Sequence, residues 1–209
     1  MTSGRSPPAF RKMLRFCFKH YRARELLEVV LLQARRAIVP PVRSIRVPQL
    51  AIPVVVASVT VIFVLAVGGW TTTVGTWYKH LRKPPWNPPN WVFGPAWTVI
   101  LALAAWSGVS TWTNVGNDDP GRVLILALFG VNIVLHMLWS PLFFALKRPD
   151  WALIEAPFLW LSIAALMFGV GRYSALAVWL LLPYLLWVTF AAFLNLKIVR
   201  LNRPFGERV

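Results

Sequence analysis

Charged residues divide the chain into five long apolar stretches, and this pattern predicts the elements of the fold. Asp, Glu, Lys and Arg are absent from residues 47–78, 84–117, 123–146 and 173–196, and Glu155 is the only one in 151–171. A helix needs about 20 apolar residues to cross the hydrocarbon core of a bilayer. A backbone in lipid must satisfy its own hydrogen bonds, which favours helices. We therefore predict an all-α membrane protein, a bundle of five transmembrane helices.

The same pattern predicts how the chain is divided. The spans are expected at about 51–70, 93–113, 122–146, 151–170 and 174–197. Turn sequences separate the later spans, so residues 51–202 are expected to form one helical domain, followed by a tail at 203–209. Residues 1–50 are basic and partly amphipathic. They predict either a helix lying on an anionic lipid surface or a disordered, solvated extension.

Composition and charge agree with a membrane protein. Hydrophobic residues make up 57% of the 209, above the roughly 45–50% that is usual for soluble domains. The net charge is +15, but 11 of the 22 Lys and Arg precede residue 47 and the others flank the spans, as in membrane proteins. We therefore expect the lipid bilayer, and no nucleic acid, as a partner. A single cysteine excludes an internal disulfide framework, and the three histidines lack the spacing of metal ligands.

The segment from Trp77 to Trp97 joins the first two spans and has an unusual composition. It holds four of the twelve tryptophans and five of the seventeen prolines. Proline fixes φ and has no N–H donor, so its two Pro-Pro pairs are not expected inside a helix. Indole rings favour apolar cover with one hydrogen-bond partner. We predict a rigid aromatic lid at one membrane face. Its residues are Trp77, Pro84, Trp86, Pro88 and Pro89.

Four motifs in order resemble those of a known membrane-protein family. Residues 77–98 read W-Y-x-x-L-x-K-P-x-W-x-P-P-x-W-V-F-x-P-A-W-T, and 138–144 read L-W-S-P-L-F-F. W-A-L-I-E follows at 151–155, and L-P-Y-L-L-W-V-T-F-A-A-F-L-N at 182–195. These motifs are similar to signatures of the TspO/translocator protein family, which comprises bacterial tryptophan-rich sensory proteins and the mitochondrial peripheral benzodiazepine receptor. The resemblance covers about residues 51–202 and includes all five spans.

The resemblance implies a fold and a class of ligand. The family fold is a five-helix bundle, often dimeric, in which a pocket under the first loop binds porphyrins and other tetrapyrroles. We therefore expect a membrane protein that senses, buffers or transports porphyrin or haem, acts as a homodimer and needs no obligatory cofactor. Two alternatives stay open: light- and oxygen-dependent porphyrin degradation through Trp97 and Trp187, and transport of another small molecule or a sterol. A bacterial plasma membrane is the expected location, with a bacterial or mitochondrial outer membrane as the alternative.

Helical periodicity predicts aromatic stripes on four spans that could wall such a pocket. Aromatic side chains suit a flat apolar ligand, and a few polar groups would fix its orientation. The candidate ligand-binding residues are Trp91, Phe93, Trp97, His136, Trp139, Phe143, Trp151, Glu155, Phe158, Tyr184, Trp187, Ala191, Leu194 and Asn195. The resemblance implies a pocket position most directly for four of the tryptophans: Trp97, Trp139, Trp151 and Trp187.

Two ionisable residues inside the spans are candidates for function, because such groups are costly in lipid. Glu155 lies about one turn into its helix, where either a structural or a ligand-facing role is open. His136 stands where most members of the resembled family carry Asn, three residues before Trp139. A neutral imidazole can make the hydrogen bonds of that Asn. A sharper hypothesis is that His136 ligates a haem iron or titrates near neutral pH.

Overall fold

The computed structural model of the protein describes residues 47–72 and 74–205. The predicted N-terminal extension, residues 1–50, thus lies outside the described residues except for its last four positions. The last four residues of the predicted C-terminal tail, 206–209, lie outside them as well.

Regular secondary structure in the described residues is helical throughout. The α-helices are α1 (Val47–Thr71), α2 (Thr76–His80), α3 (Asn90–Asn114), α4 (Gly121–Ser140), α5 (Pro149–Gly171) and α6 (Ala175–Asn202). A π-helical turn, Pro141–Ala145, extends α4. Five of these helices, counting α4 with its π-helical turn, are long and apolar enough to cross a membrane. The predicted five-helix, all-α fold is confirmed, and the chain is a multi-pass integral membrane protein.

The segment predicted as a non-helical lid is shorter than expected. Trp77 lies in the short helix α2, and α3 begins at Asn90, directly after the second Pro-Pro pair. Between Trp77 and Trp97, only residues 81–89 lack helical structure. Pro95 lies inside α3; its missing N–H removes one hydrogen bond, which transmembrane helices tolerate. The two Pro-Pro pairs are non-helical, as predicted.

The five spanning helices form a closed ring. α6 packs between α3 and α5, α5 also packs against α4, and α1 packs against α3 and α4. Association within lipid depends on close packing and on hydrogen bonds between helices. One such bond joins α3 to α6, where the Ser107 hydroxyl donates to the Ala177 carbonyl at 2.9 Å.

Two clusters of buried side chains fill the ring at different levels. The larger one lies around Tyr184 and comprises Ile100, Ile125, Leu159, Ile163, Leu166, Val170, Ala177, Leu181, Tyr184 and Val188. The smaller one lies next to α2 and comprises Tyr78, Phe143, Ala152, Leu194 and Ile198. Several aromatic candidates pack against these clusters, which places them near the end of the bundle that α2 covers.

Candidate ligand-binding cavity

A cavity of about 460 Å³ opens inside the ring at the end where α2 lies. Its volume falls within the roughly 300–1,000 Å³ that is usual for small-molecule pockets. All five spanning helices contribute to its wall, and Tyr78 of α2 closes one side. Carbon atoms form most of the lining, as expected for a site within a bilayer.

Most of the predicted site residues meet at this cavity. Those that line it are Phe93, Trp97, His136, Trp139, Phe143, Trp187, Ala191, Leu194 and Asn195. They come from α3, α4 with its π-helical turn, and α6. The predicted stripes on these three helices therefore face a common space.

The aromatic wall is built from rings that meet mainly edge to face. The centroid of Trp97 lies 4.7 Å from that of His136 and 6.2 Å from that of Trp187. Phe93 meets Trp187 at 5.9 Å, again edge to face. Such pairs fix each other's orientation, because the positive edge of one ring is attracted to the negative face of the next. The rings of the wall therefore hold one another in fixed orientations.

The predicted stripe on α5 is corrected by the structure. Trp151 and Phe158 lie on the outer surface, with 46% and 59% of their area exposed. The residues that directly follow Trp151, Glu155 and Phe158 face the interior instead. They are Ala152, Ala156 and Leu159. Small residues allow close approach of neighbouring helices, so the two alanines turn α5 towards α6. The indole of Trp151 lies under the Arg148 guanidinium, 4.5 Å from its ring centroid.

Three other candidates are also placed away from the cavity lining. Trp91, in the first turn of α3, is 74% exposed on the outer surface. Tyr184 is fully buried behind His136, and Glu155 is buried next to Ala156, which does line the cavity.

The lid residues contact the bundle from outside the cavity. Trp77, Pro84, Trp86, Pro88 and Pro89 are absent from its lining, whereas their neighbours Tyr78 and Asn90 form part of it. Trp86 stacks on Phe193 of α6, with centroids 5.5 Å apart and an angle of 15°. The lid therefore anchors to the outer face of α6, and Tyr78 and Asn90 provide the surface that a ligand would meet.

Three glycines are among the lining residues that the sequence analysis missed. Gly68 and Gly69 of α1, and Gly94 of α3, border the cavity. A Cβ atom added at any of them would meet no atom within 4 Å. A glycine pair within an otherwise branched apolar helix is a signal that could have identified this face of α1.

The π-helical turn orients two aromatic rings at the cavity wall. Pro141 cannot donate to the carbonyl four residues earlier, and the helix widens there, with Leu146 N donating to Pro141 O at 2.9 Å. Such turns are frequent at functional sites. Phe143 and Phe144, inside this turn, both line the cavity.

Several buried polar atoms at or near the wall have no hydrogen-bond partner among the described residues. They are Trp187 Nε1 and both amide atoms of Asn195, which border the cavity, and both carboxyl oxygens of Glu155. Buried polar groups are otherwise nearly always paired. Because the Trp187 and Asn195 side chains line the cavity, a rotation of either one would turn its unpaired polar group towards a ligand.

Hydrogen bonds from one asparagine fasten the lid to α6. Asn202 Oδ1 accepts from Arg82 N, and its Nδ2 donates to Arg82 O, both at 2.8 Å. Lys83 Nζ donates to the Tyr78 carbonyl at 2.6 Å and lies 4.2 Å from the ring centroid. Burial lowers the pKa of the Lys83 ammonium and raises the pKa of the Tyr78 hydroxyl. The two Asn202 hydrogen bonds therefore hold the start of this segment against the end of α6.

We expect Asn202→Ala to release the lid. Both hydrogen bonds to Arg82 are lost, and at about 1 kcal/mol each the open population rises roughly 30-fold. Trypsin cleavage between Arg82 and Lys83 measures this opening and is expected to accelerate by a similar factor. Asn114→Ala is the control, because Asn114 Nδ2 donates only within its own helix, to Ser110 O. Equal cleavage rates in the two variants would show that Asn202 does not hold the lid.

Comparison with known proteins identifies the family. The TspO/MBR family profile matches residues 52–201. The chain is 37% identical over 139 residues to the tryptophan-rich protein TspO of Chlorobaculum tepidum, which covers 64% of this chain and 84% of that protein. It is 36% identical over 126 residues to the tryptophan-rich sensory protein of Cereibacter sphaeroides, covering 60% and 77% of the two chains. The translocator protein of Bos taurus is 33% identical over 135 residues, with coverage of 64% and 80%. The family match spans all five transmembrane helices, and the chain therefore belongs to the TspO/MBR family.

Proposed function

We propose that this protein binds a tetrapyrrole, a porphyrin or haem, in the cavity between its transmembrane helices. The observation that carries the proposal is the aromatic wall of Phe93, Trp97, Trp139 and Trp187, which encloses about 460 Å³ within the bilayer. A flat apolar macrocycle suits such a wall, because indole and phenyl rings offer stacking and edge contacts. We propose no obligatory cofactor.

Polar groups near the cavity support a ligand that also carries hydrogen-bonding and acidic groups. The unpaired Trp187 Nε1 and Asn195 amide could bind pyrrole or carboxyl groups. At the end covered by α2, the adjoining segment carries Lys79, Arg82 and Lys83. Positive side chains at a membrane face attract carboxylates. A tetrapyrrole with propionate side chains combines these features.

We propose that the bound tetrapyrrole is sensed, buffered or passed on, without coupling to an ion gradient. Relatives are named translocator protein and tryptophan-rich sensory protein, which supports transport or sensing as the outcome. Coupled transporters use several intramembrane charges and discontinuous helix pairs. Glu155 is the only Asp, Glu, Lys or Arg in residues 151–171, and the other predicted spans have none between their flanking charges.

Replacing cavity tryptophans is expected to weaken porphyrin binding. Trp97→Phe and Trp187→Phe each replace an indole of the cavity wall by a smaller phenyl ring, and Trp187→Phe also removes an unpaired N–H. Each variant is therefore expected to bind porphyrin about three- to tenfold more weakly. Absorbance titration of the purified protein with protoporphyrin IX measures the affinity. The control is Trp179→Phe, because Trp179 lies on α6 with 70% of its area exposed. Wild-type binding no tighter than that of an unrelated five-span protein would refute the proposed function.

The assembly and location follow from the same similarity. We propose a homodimer in a bacterial plasma membrane. The higher identity to the bacterial relatives than to the bovine one supports the location. Chemical cross-linking in native membranes tests the dimer, and membrane fractionation tests the location.

A further inference from the structure

His136 presents an imidazole ring in the wall of the cavity. It lies on α4 and lines the cavity, and its ring is held edge-on against Trp97 with centroids 4.7 Å apart. Its Nδ1 lies 3.1 Å from the hydroxyl oxygen of Tyr184. Tyr184 is fully buried in the larger core cluster and does not line the cavity. The hydrogen bond thus directs Nδ1 away from the cavity and into the protein.

The opposite ring nitrogen, Nε2, is left without a partner. Within residues 47–72 and 74–205 the only hydrogen bond of the His136 side chain is the one to Tyr184. When Nδ1–H donates to the Tyr184 oxygen, the proton is fixed on Nδ1 and a lone pair remains on Nε2. Metal-binding histidines have this arrangement: one nitrogen donates to a neighbouring oxygen, which fixes the tautomer, and the other ligates.

The surroundings favour a metal that arrives within a macrocycle over a bare ion. Among the residues that the structure describes, no three His, Cys, Asp or Glu side chains come together. A bare divalent ion needs about four ligands, whereas a metal already held by four pyrrole nitrogens needs one axial ligand. Trp97, which lies against His136, and Trp187, which lies against Trp97, supply apolar contacts for the rest of the macrocycle.

We propose that His136 Nε2 ligates the metal of a metallated tetrapyrrole, so that the cavity selects haem or zinc porphyrin over metal-free porphyrin. The inference rests on the proposed tetrapyrrole binding and specifies its ligand. The bond is dative: Nε2 donates its lone pair to the metal and displaces a weak axial ligand such as water. The proton stays on Nδ1, and no atom is oxidised or reduced. Tyr184 acts as a positioning residue for the imidazole.

The test compares three ligands: metal-free protoporphyrin IX, zinc protoporphyrin and haem. The full chain in detergent is titrated with each, for the wild type and for His136→Asn, whose amide can still bond Tyr184. We expect the variant to lose about tenfold or more in affinity for haem and zinc protoporphyrin and less than about twofold for the metal-free ligand. Tyr184→Phe is expected to weaken the metallated ligands selectively but less, because the imidazole remains and only its orientation is lost.

Spectroscopy detects the bond between His136 and the metal directly. Resonance Raman spectra of the wild type with ferrous haem are expected to contain an iron–histidine stretching band. Adding imidazole to His136→Gly is expected to restore the wild-type Soret band. Absence of the iron–histidine band, or identical Soret bands in wild type and His136→Asn, would overturn the inference. Metal-free protoporphyrin distinguishes this failure from that of the proposed function: if it binds the wild type while the axial bond is absent, only the inference is wrong.

Discussion

Gly94→Trp is expected to weaken tetrapyrrole binding strongly while the bundle stays folded. Gly94 lines the cavity, and a Cβ atom added there would meet no atom within 4 Å. The new indole can therefore enter the cavity without displacing the helices, and it occupies the volume that the ligand needs. Tryptophan is also a better helix former than glycine. We expect the affinity for protoporphyrin IX to fall by about 100-fold, or about 2.7 kcal/mol.

The matched control for this change is Gly130→Trp. Gly130 lies within α4, and an added Cβ atom there likewise meets no atom within 4 Å, but its position is outside the cavity. Both variants add one indole to a transmembrane glycine, so any general effect of the change is shared. Absorbance titration is the suitable measurement, because both variants carry an extra fluorophore. If Gly94→Trp bound protoporphyrin as tightly as Gly130→Trp, the ligand would have to bind somewhere other than this cavity.

The fold could be predicted from the sequence because spanning a bilayer depends on the length of apolar stretches. Runs without charged residues delimit the helices within a few positions, and this needs no knowledge of packing. The Pro-Pro pairs also identified the non-helical segment, residues 81–89. Composition placed Trp77 in the lid, but Trp77 lies in the short helix α2.

The site could be predicted only in part, because hydrophobicity does not distinguish the inward from the outward face of a helix in lipid. On α3, α4 and α6 the aromatic stripes face the cavity, as at Trp97 and Trp187. On α5 the large side chains of Trp151 and Phe158 face outwards and two alanines face inwards. Packing between small residues decides this rotation. The glycines of α1 were missed for a related reason, since they contribute space and no side chain.

The rotation of α5 can be tested through the stability of the bundle. Leu166 lies on the same face as Ala152 and Leu159, has no exposed area and belongs to the larger buried cluster. Leu166→Ala removes packing contacts and leaves a void, and the expected loss in the free energy of unfolding is about 2–4 kcal/mol. Titration of the detergent-solubilised protein with sodium dodecyl sulfate, followed by circular dichroism, measures that free energy.

Leu161→Ala on the same helix provides the comparison. Leu161 lies on the face of Phe158 and is 58% exposed, so its truncation removes contacts with lipid or detergent rather than with neighbouring helices. Lipid is about as apolar as leucine, so this loss is expected to cost less than about 1 kcal/mol. Both variants remove the same atoms from a leucine of one apolar helix. The difference between their losses in the free energy of unfolding therefore reports helix packing alone. A larger loss for Leu161→Ala would mean that α5 is rotated towards the stripe predicted from the sequence. In that case Trp151 and Phe158 would face the interior and belong to the ligand-binding wall.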